Sequence, residues 1–141
     1  MNLKQVNHVG IRTKDMEELG RFYAEVLGLT PHPEKRNWLK VGDSNTMIHL
    51  MPVNGSAEGN DTSDYARHVC LEAESLEEVV MTLLARGIKP FQCEIDATKR
   101  RELTDASDLT FGIGTVFITD PEGNIIEFMQ ADRGIYAKYH F

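Results

Sequence analysis

The 141-residue sequence has little of several things, and each scarcity excludes a class of protein. Its two cysteines, Cys70 and Cys93, have no CxxC spacing, so neither a disulfide framework nor a zinc knuckle is indicated. It has no excess of cations: 15 Lys and Arg stand against 22 Asp and Glu, for a formal net charge of −7. Nucleic acid and anionic membranes reward clustered cations, so neither is an expected partner. It has no long apolar run. The longest mostly apolar stretch, residues 79–85, falls far short of the roughly 20 residues that span a bilayer. The opening "MNLKQVNHV" lacks the apolar core of a signal peptide. A soluble, reduced, cytoplasmic protein is the expectation.

What is present is an internal repeat on an ordinary globular composition, 41% hydrophobic and 26% charged. "NHVGIRTKD" begins at Asn7, and "RHVCLEAES" begins at Arg67. Each alternates as a half-buried strand does, with His8, Gly10 and Arg12 on one side in the first and His68, Cys70 and Glu72 in the second. Each then meets a helix start with capping-box spacing, Asp15 to Glu18 and Ser75 to Glu78. Met16, Leu19, Phe22, Tyr23, Val26 and Leu27 form one apolar stripe, and Leu76, Val79, Val80, Leu83 and Leu84 form the other. Gly28 and Gly87 end the helices, each with a proline three residues on.

Two hairpins follow. "NWLKV" and "TMIHLMP" flank a "GDSN" turn, and "GTVFIT" and "IIEFMQA" flank a "DPEGN" turn. The order β-α-β-β-β is therefore expected twice, with weakly marked strands near 31–36 and 91–95. The modules are read as about 1–56 and 65–133, with a linker at 54–64 and a C-terminal tail. The second module carries about 19 extra residues, roughly 94–111, a length of insertion that is usually functional or mobile. This is an α+β domain whose two half-sheets are expected to enclose one cleft.

The repeat aligns His8 with His68, and "MIHLM" with "IIEFM" places His49 opposite Glu127. Three imidazoles and a carboxylate at matched positions suit a divalent metal: Zn, Ni, Co, Mn or Fe(II). His32 and His140 fall outside this pattern and read as solvated residues. Met47, Met51 and Met129 share the ligand-bearing face and are expected to line an apolar pocket. Cys70 is expected to be a small packing residue, and Glu72 to sit behind a ligand or near the surface.

These residues resemble the vicinal oxygen chelate superfamily, which includes glyoxalase I, extradiol dioxygenases, methylmalonyl-CoA epimerase and bleomycin-resistance proteins. The resemblance spans nearly the whole chain. It is carried by "NHVGIRTKDMEELGRFYAEVLGL", "RHVCLEAESLEEVVMTLLARGI" and, most specifically, "VFITDPEGNIIEFMQ". It implies paired βαβββ modules, a small-molecule substrate and a homodimer. Carried over by position, His8, His49, His68 and Glu127 match the four metal positions of glyoxalase I, and Arg12 matches a position that contacts glutathione there. His49 stands where that enzyme has a glutamate, and Val53 stands where it has an asparagine.

The leading reading is a metal-dependent lyase or isomerase that acts through an enediolate-type intermediate, with Glu127, or a metal-bound water, moving the proton and Arg12 holding the substrate. Lys99, Arg100 and Arg101 are a further source of positive charge, although a solvated loop is the commoner role of such a run. An extradiol-type dioxygenase would use Fe(II) on His8, His68 and Glu127. A non-catalytic binding or resistance protein would use the cleft without the metal.

Overall fold

The computed structural model of the chain describes residues 1–2, 6–52, 68–94 and 99–134. The expected linker at 54–64 and most of the tail lie outside these residues. The chain divides into two compact units, Met1–Asn60 with Asp120–Glu122, and Asp61–Thr119 with Gly123–Phe141.

In the first unit, β1 (His8–Thr13) leads into α1 (Met16–Arg21), followed by β2 (Thr30–Pro31), β3 (Trp38–Lys40) and β4 (Met47–Pro52). The sheet order is β1-β4-β3-β2, with β1 and β4 parallel and the other pairs antiparallel. Burial alternates along β1 and β4. Ile11, Ile48 and Leu50 face the core with Leu19, Phe22 and Tyr23, while His8, Gly10 and Arg12 are exposed on the opposite face.

The first helix is shorter than its stripe implied. After Arg21 it continues as a π-helical turn, Phe22–Val26, in which the Leu27 amide reaches the Phe22 carbonyl at 3.3 Å. A π turn places its hydrogen bonds five residues apart and so shifts the helical face. Here Phe22 and Tyr23 both remain in the core, their rings 5.7 Å apart edge to face. The Tyr23 hydroxyl donates to Asp120 (3.2 Å); burial, then the Asp120 charge, push the phenol well above its ordinary range.

Both expected N-caps form, but the first is not the reciprocal box its spacing implied. Asp15 accepts from the Glu17 and Glu18 amides, while its own amide donates to Glu122 at 2.8 Å. Glu122, from the "DPEGN" turn, also accepts from the Thr13 hydroxyl (2.6 Å) and the Lys14 amide (2.8 Å). It thus stands at the N-terminus of α1, where negative charge is favoured. Burial pushes the Glu122 carboxyl up. The hydrogen bonds from Thr13, Asp15 and Lys14, with the Lys14 charge, outweigh burial and hold it below its ordinary value.

A lowered native value means that this stabilisation is present above the unfolded carboxyl's ordinary 4.5 and is lost as pH falls through the native value. Glu122→Ala is expected to cost about 1–2 kcal/mol at neutral pH. The deficit should shrink as pH falls below the ordinary 4.5 and on through the native value, a comparison that urea titrations at several pH values would make.

In the second unit, β5 (His68–Glu72) leads into α2 (Leu76–Ala85), then β6 (Phe91–Cys93), β7 (Arg100–Glu102), β8 (Val116–Thr119) and β9 (Ile125–Met129). The sheet order is β5-β9-β8-β6-β7. α2 starts at the Ser75 cap, and its Leu76 amide donates to Gln130 at 3.0 Å. β7 has no counterpart in the first unit. It lies within the extra segment, which therefore builds a fifth strand rather than only a loop. Arg101 fastens it, bonding to Asp108 (2.8 Å) and to the buried Gln92 (3.0 Å). The Thr110 hydroxyl, then Arg101, hold the Asp108 carboxyl down to about 2.

Candidate metal centre

Each unit brings two of the four expected ligands together. In the first unit, strand pairing decides which side chains meet. Parallel β1 sets Gly10 opposite His49, and antiparallel β3 sets Trp38 opposite His49 from the other side. His8 lies one step along the same face. The His8 and His49 ring centroids are 6.0 Å apart, inside the roughly 6.5 Å that two imidazoles on one ion can span. His8 Nδ1 is 2.9 Å from Asn7 Oδ1. With that amide oxygen accepting, Nδ1 holds the proton and Nε2 keeps its lone pair for a metal. Arg12 is exposed on this face.

In the second unit, Cys70 on β5 and Phe117 on β8 lie opposite Glu127 on β9. His68 Nε2 is 2.9 Å from Glu127 Oε2. The Glu127 side chain is only 2% exposed, and its other oxygen, Oε1, has no hydrogen-bond partner among the described residues. A buried carboxylate oxygen without a donor is costly, and native structures rarely keep one without a use.

The donor set fits a divalent ion. Two donors about 2.1 Å from a common ion and at right angles to each other lie about 3 Å apart, which is the His68–Glu127 separation. No group of three or more His, Cys, Asp or Glu suited to a metal occurs among the described residues.

Residues 5–128 match the model of the Glyoxalase/Bleomycin resistance protein/Dioxygenase superfamily. The chain belongs to this superfamily. It is 24% identical over 133 residues to a virulence protein of Salmonella typhimurium, covering 92% of this chain and 86% of that protein. It is 28% identical over 107 residues to human mitochondrial methylmalonyl-CoA epimerase, covering 67% of this chain and 60% of the epimerase. Among solved structures it resembles the trypanothione-dependent glyoxalase I of Leishmania major, with a TM-score of 0.59 and 20% identity over 91% of this chain and 87% of that one. The superfamily fold, two sheets with few helices, is the one the internal repeat implied.

Around these superfamily positions, the structure separates the three basic residues of the insertion. Lys99 lies 3.8 Å from Glu94, and Arg101 is the fastener of β7. The Arg100 guanidinium sits 3.8 Å over the Phe91 ring. Phe91 stacks on Phe117, and Phe117 meets the edge of His68 at 6.3 Å. Phe91 and Phe117 form a buried cluster with Cys93 and Ile125. Burial, and then the Glu127 charge, push the Cys93 thiol up against an opposing Arg100, as suits a buried packing residue. Cys70 is exposed, which corrects its expected packing role. Met51 is also exposed; its methyl lies where a side chain on Gly10 would begin, so it covers β1 rather than lining a closed pocket.

Sequence reasoning missed Asn7 and Trp38. The available signals were that Asn7 precedes a candidate ligand and that Trp38 is the single tryptophan, on the strand hairpinned to His49.

Proposed function

We propose that the protein is a metal-dependent lyase or isomerase of the glyoxalase I kind. Its substrate is a small anionic molecule carrying two vicinal oxygens. The observation that carries this reading is Glu127, a buried carboxylate with one oxygen against His68 and the other unpartnered. His8 and His49 occupy the corresponding positions of the other repeat. These four residues would be the ligands of a divalent ion. The likeness to a methylmalonyl-CoA epimerase supports the reading.

A divalent ion held there would supply Lewis-acid polarisation of the two substrate oxygens, which would acidify the hydrogen on the carbon beside them. Glu127 accepts that proton and returns it to the neighbouring carbon, or to the opposite face of the same carbon. Substrate and product are isomers, so no oxidant is consumed. Arg12 pairs with the anionic group and orients the molecule. The active assembly is a homodimer.

The test is turnover in D2O by protein reconstituted separately with Zn, Ni, Co and Mn. Its substrates are thiol adducts of 2-oxoaldehydes and 2-methyl-branched dicarboxylic thioesters. The expected result is metal-dependent solvent deuterium at the carbon beside the carbonyl, abolished by EDTA. Glu127→Gln should lower kcat by at least about 100-fold. Arg12→Ala should raise KM about tenfold with little change in kcat, as losing one charge-assisted hydrogen bond does. Oxygen uptake with catechols by an iron-loaded protein would replace this reading with a dioxygenase. Tight ligand binding without turnover, indifferent to chelators, would replace it with a binding protein.

A further inference from the structure

We propose that Trp38 is the positioning residue for the two histidines of the first unit, and that its emission reports metal binding. The inference rests on the metal-centre reading above. Trp38 and His49 stack nearly parallel, at 14° with centroids 3.9 Å apart. His8 meets the same indole at 4.8 Å, edge to face at 67°. One side chain therefore touches both imidazoles.

A metal ion binds an imidazole in the plane of the ring, along the nitrogen lone pair. A ring laid flat on the indole must aim its lone pairs alongside that surface. Turning the His49 ring upright would drive its edge into the indole. Across the sheet, His49 faces Gly10, which is covered only by the end of the flexible Met51 side chain, so Trp38 supplies the rigid wall.

Trp38 is itself held. Its amide donates to the Lys35 carbonyl at 2.8 Å, and its carbonyl accepts from the His32 amide at 2.7 Å. The next residue, Leu39, is fully buried and anchors β3. The indole thus transmits the rigidity of the sheet to two ligand planes. Groups that orient metal ligands typically change affinity by about 10–100-fold when removed.

The chain has one tryptophan, so tryptophan emission is Trp38 emission. Co2+ has a partly filled d shell and quenches a nearby indole, whereas Zn2+ with a filled shell does not. In wild type, Co2+ should quench the emission with a midpoint equal to the Kd from equilibrium dialysis, and Zn2+ should restore it by displacement. Trp38→Phe keeps a flat ring and should bind Co2+ within about threefold of wild type, while Trp38→Leu should bind about 10–100-fold more weakly. If the leucine variant does not fold, Trp38→Val takes its place, since β-branched residues suit a strand.

Wild type that binds no Co2+ overturns the metal-centre reading. Wild type that binds Co2+ while both aliphatic and aromatic variants match it overturns the positioning role and leaves the metal centre standing. Quenching absent at saturating Co2+ overturns the reporter.

Discussion

In metal-stripped protein, Glu127→Met is expected to unfold later than wild type, by about 1–3 kcal/mol. The argument is a comparison of what each state leaves unpaired. Wild type buries a carboxylate that has one oxygen without a donor. Methionine fills a similar volume with no polar group to desolvate. The partner left behind, His68, has a side chain 31% exposed, so water can take over its hydrogen bond. Thermal or urea unfolding in EDTA measures the difference. Adding Zn2+ should reverse the order, since wild type gains about 4.1 kcal/mol at roughly 1,000 times Kd and the variant gains little. A purely structural ion pair predicts the opposite sign in EDTA, a loss of about 3–5 kcal/mol on removing one partner.

Gly112→Ala is expected to be the most damaging single-methyl change in the described residues, costing about 3–5 kcal/mol. Gly112 has φ of +61°, and a Cβ there would lie 1.9 Å from the Cys93 carbonyl oxygen and 2.4 Å from its carbon. Both atoms are backbone, and the neighbouring Ile113 amide donates to that same carbonyl at 3.1 Å. Relief therefore requires the end of β6 to separate from the returning segment. Gly87 provides the control. Its φ of +73° is as strained for alanine, but nothing lies within 4 Å of the new methyl. Gly87→Ala should cost only the left-handed backbone term, about 1–2 kcal/mol. Equal losses at the two sites, measured by urea unfolding, would contradict the close-approach account.

The sequence carried the fold because its signals were local and doubled. Strand alternation at His8 and His68, caps at Asp15 and Ser75, and glycine–proline stops recur in both halves. The face each candidate ligand occupies followed from strand parity. Long-range facts were not legible. Nothing near Asp15 indicates that its amide is taken by Glu122 rather than Glu18, because that contact spans 107 residues. The Trp38–His49 stack depends on hairpin register, which the four-residue turn does not spell out. Arg100–Glu102 carries three charged residues with no alternation, and its strand is defined by long-range pairing with Phe91–Cys93, which the local sequence does not mark. The stripe placed Phe22 and Tyr23 inward, as they are, but the widening of the helix into a π turn at Phe22–Val26 leaves no mark in the periodicity.

The central claim, that His8, His49, His68 and Glu127 are metal ligands, is tested most directly by elemental analysis. Protein purified without an affinity tag should be compared with Glu127→Ala prepared in parallel. The account predicts about one divalent ion per chain in wild type, lost in the variant, because a carboxylate donor of the set is gone. No metal in either protein, even after soaking in divalent ions and desalting, would contradict it.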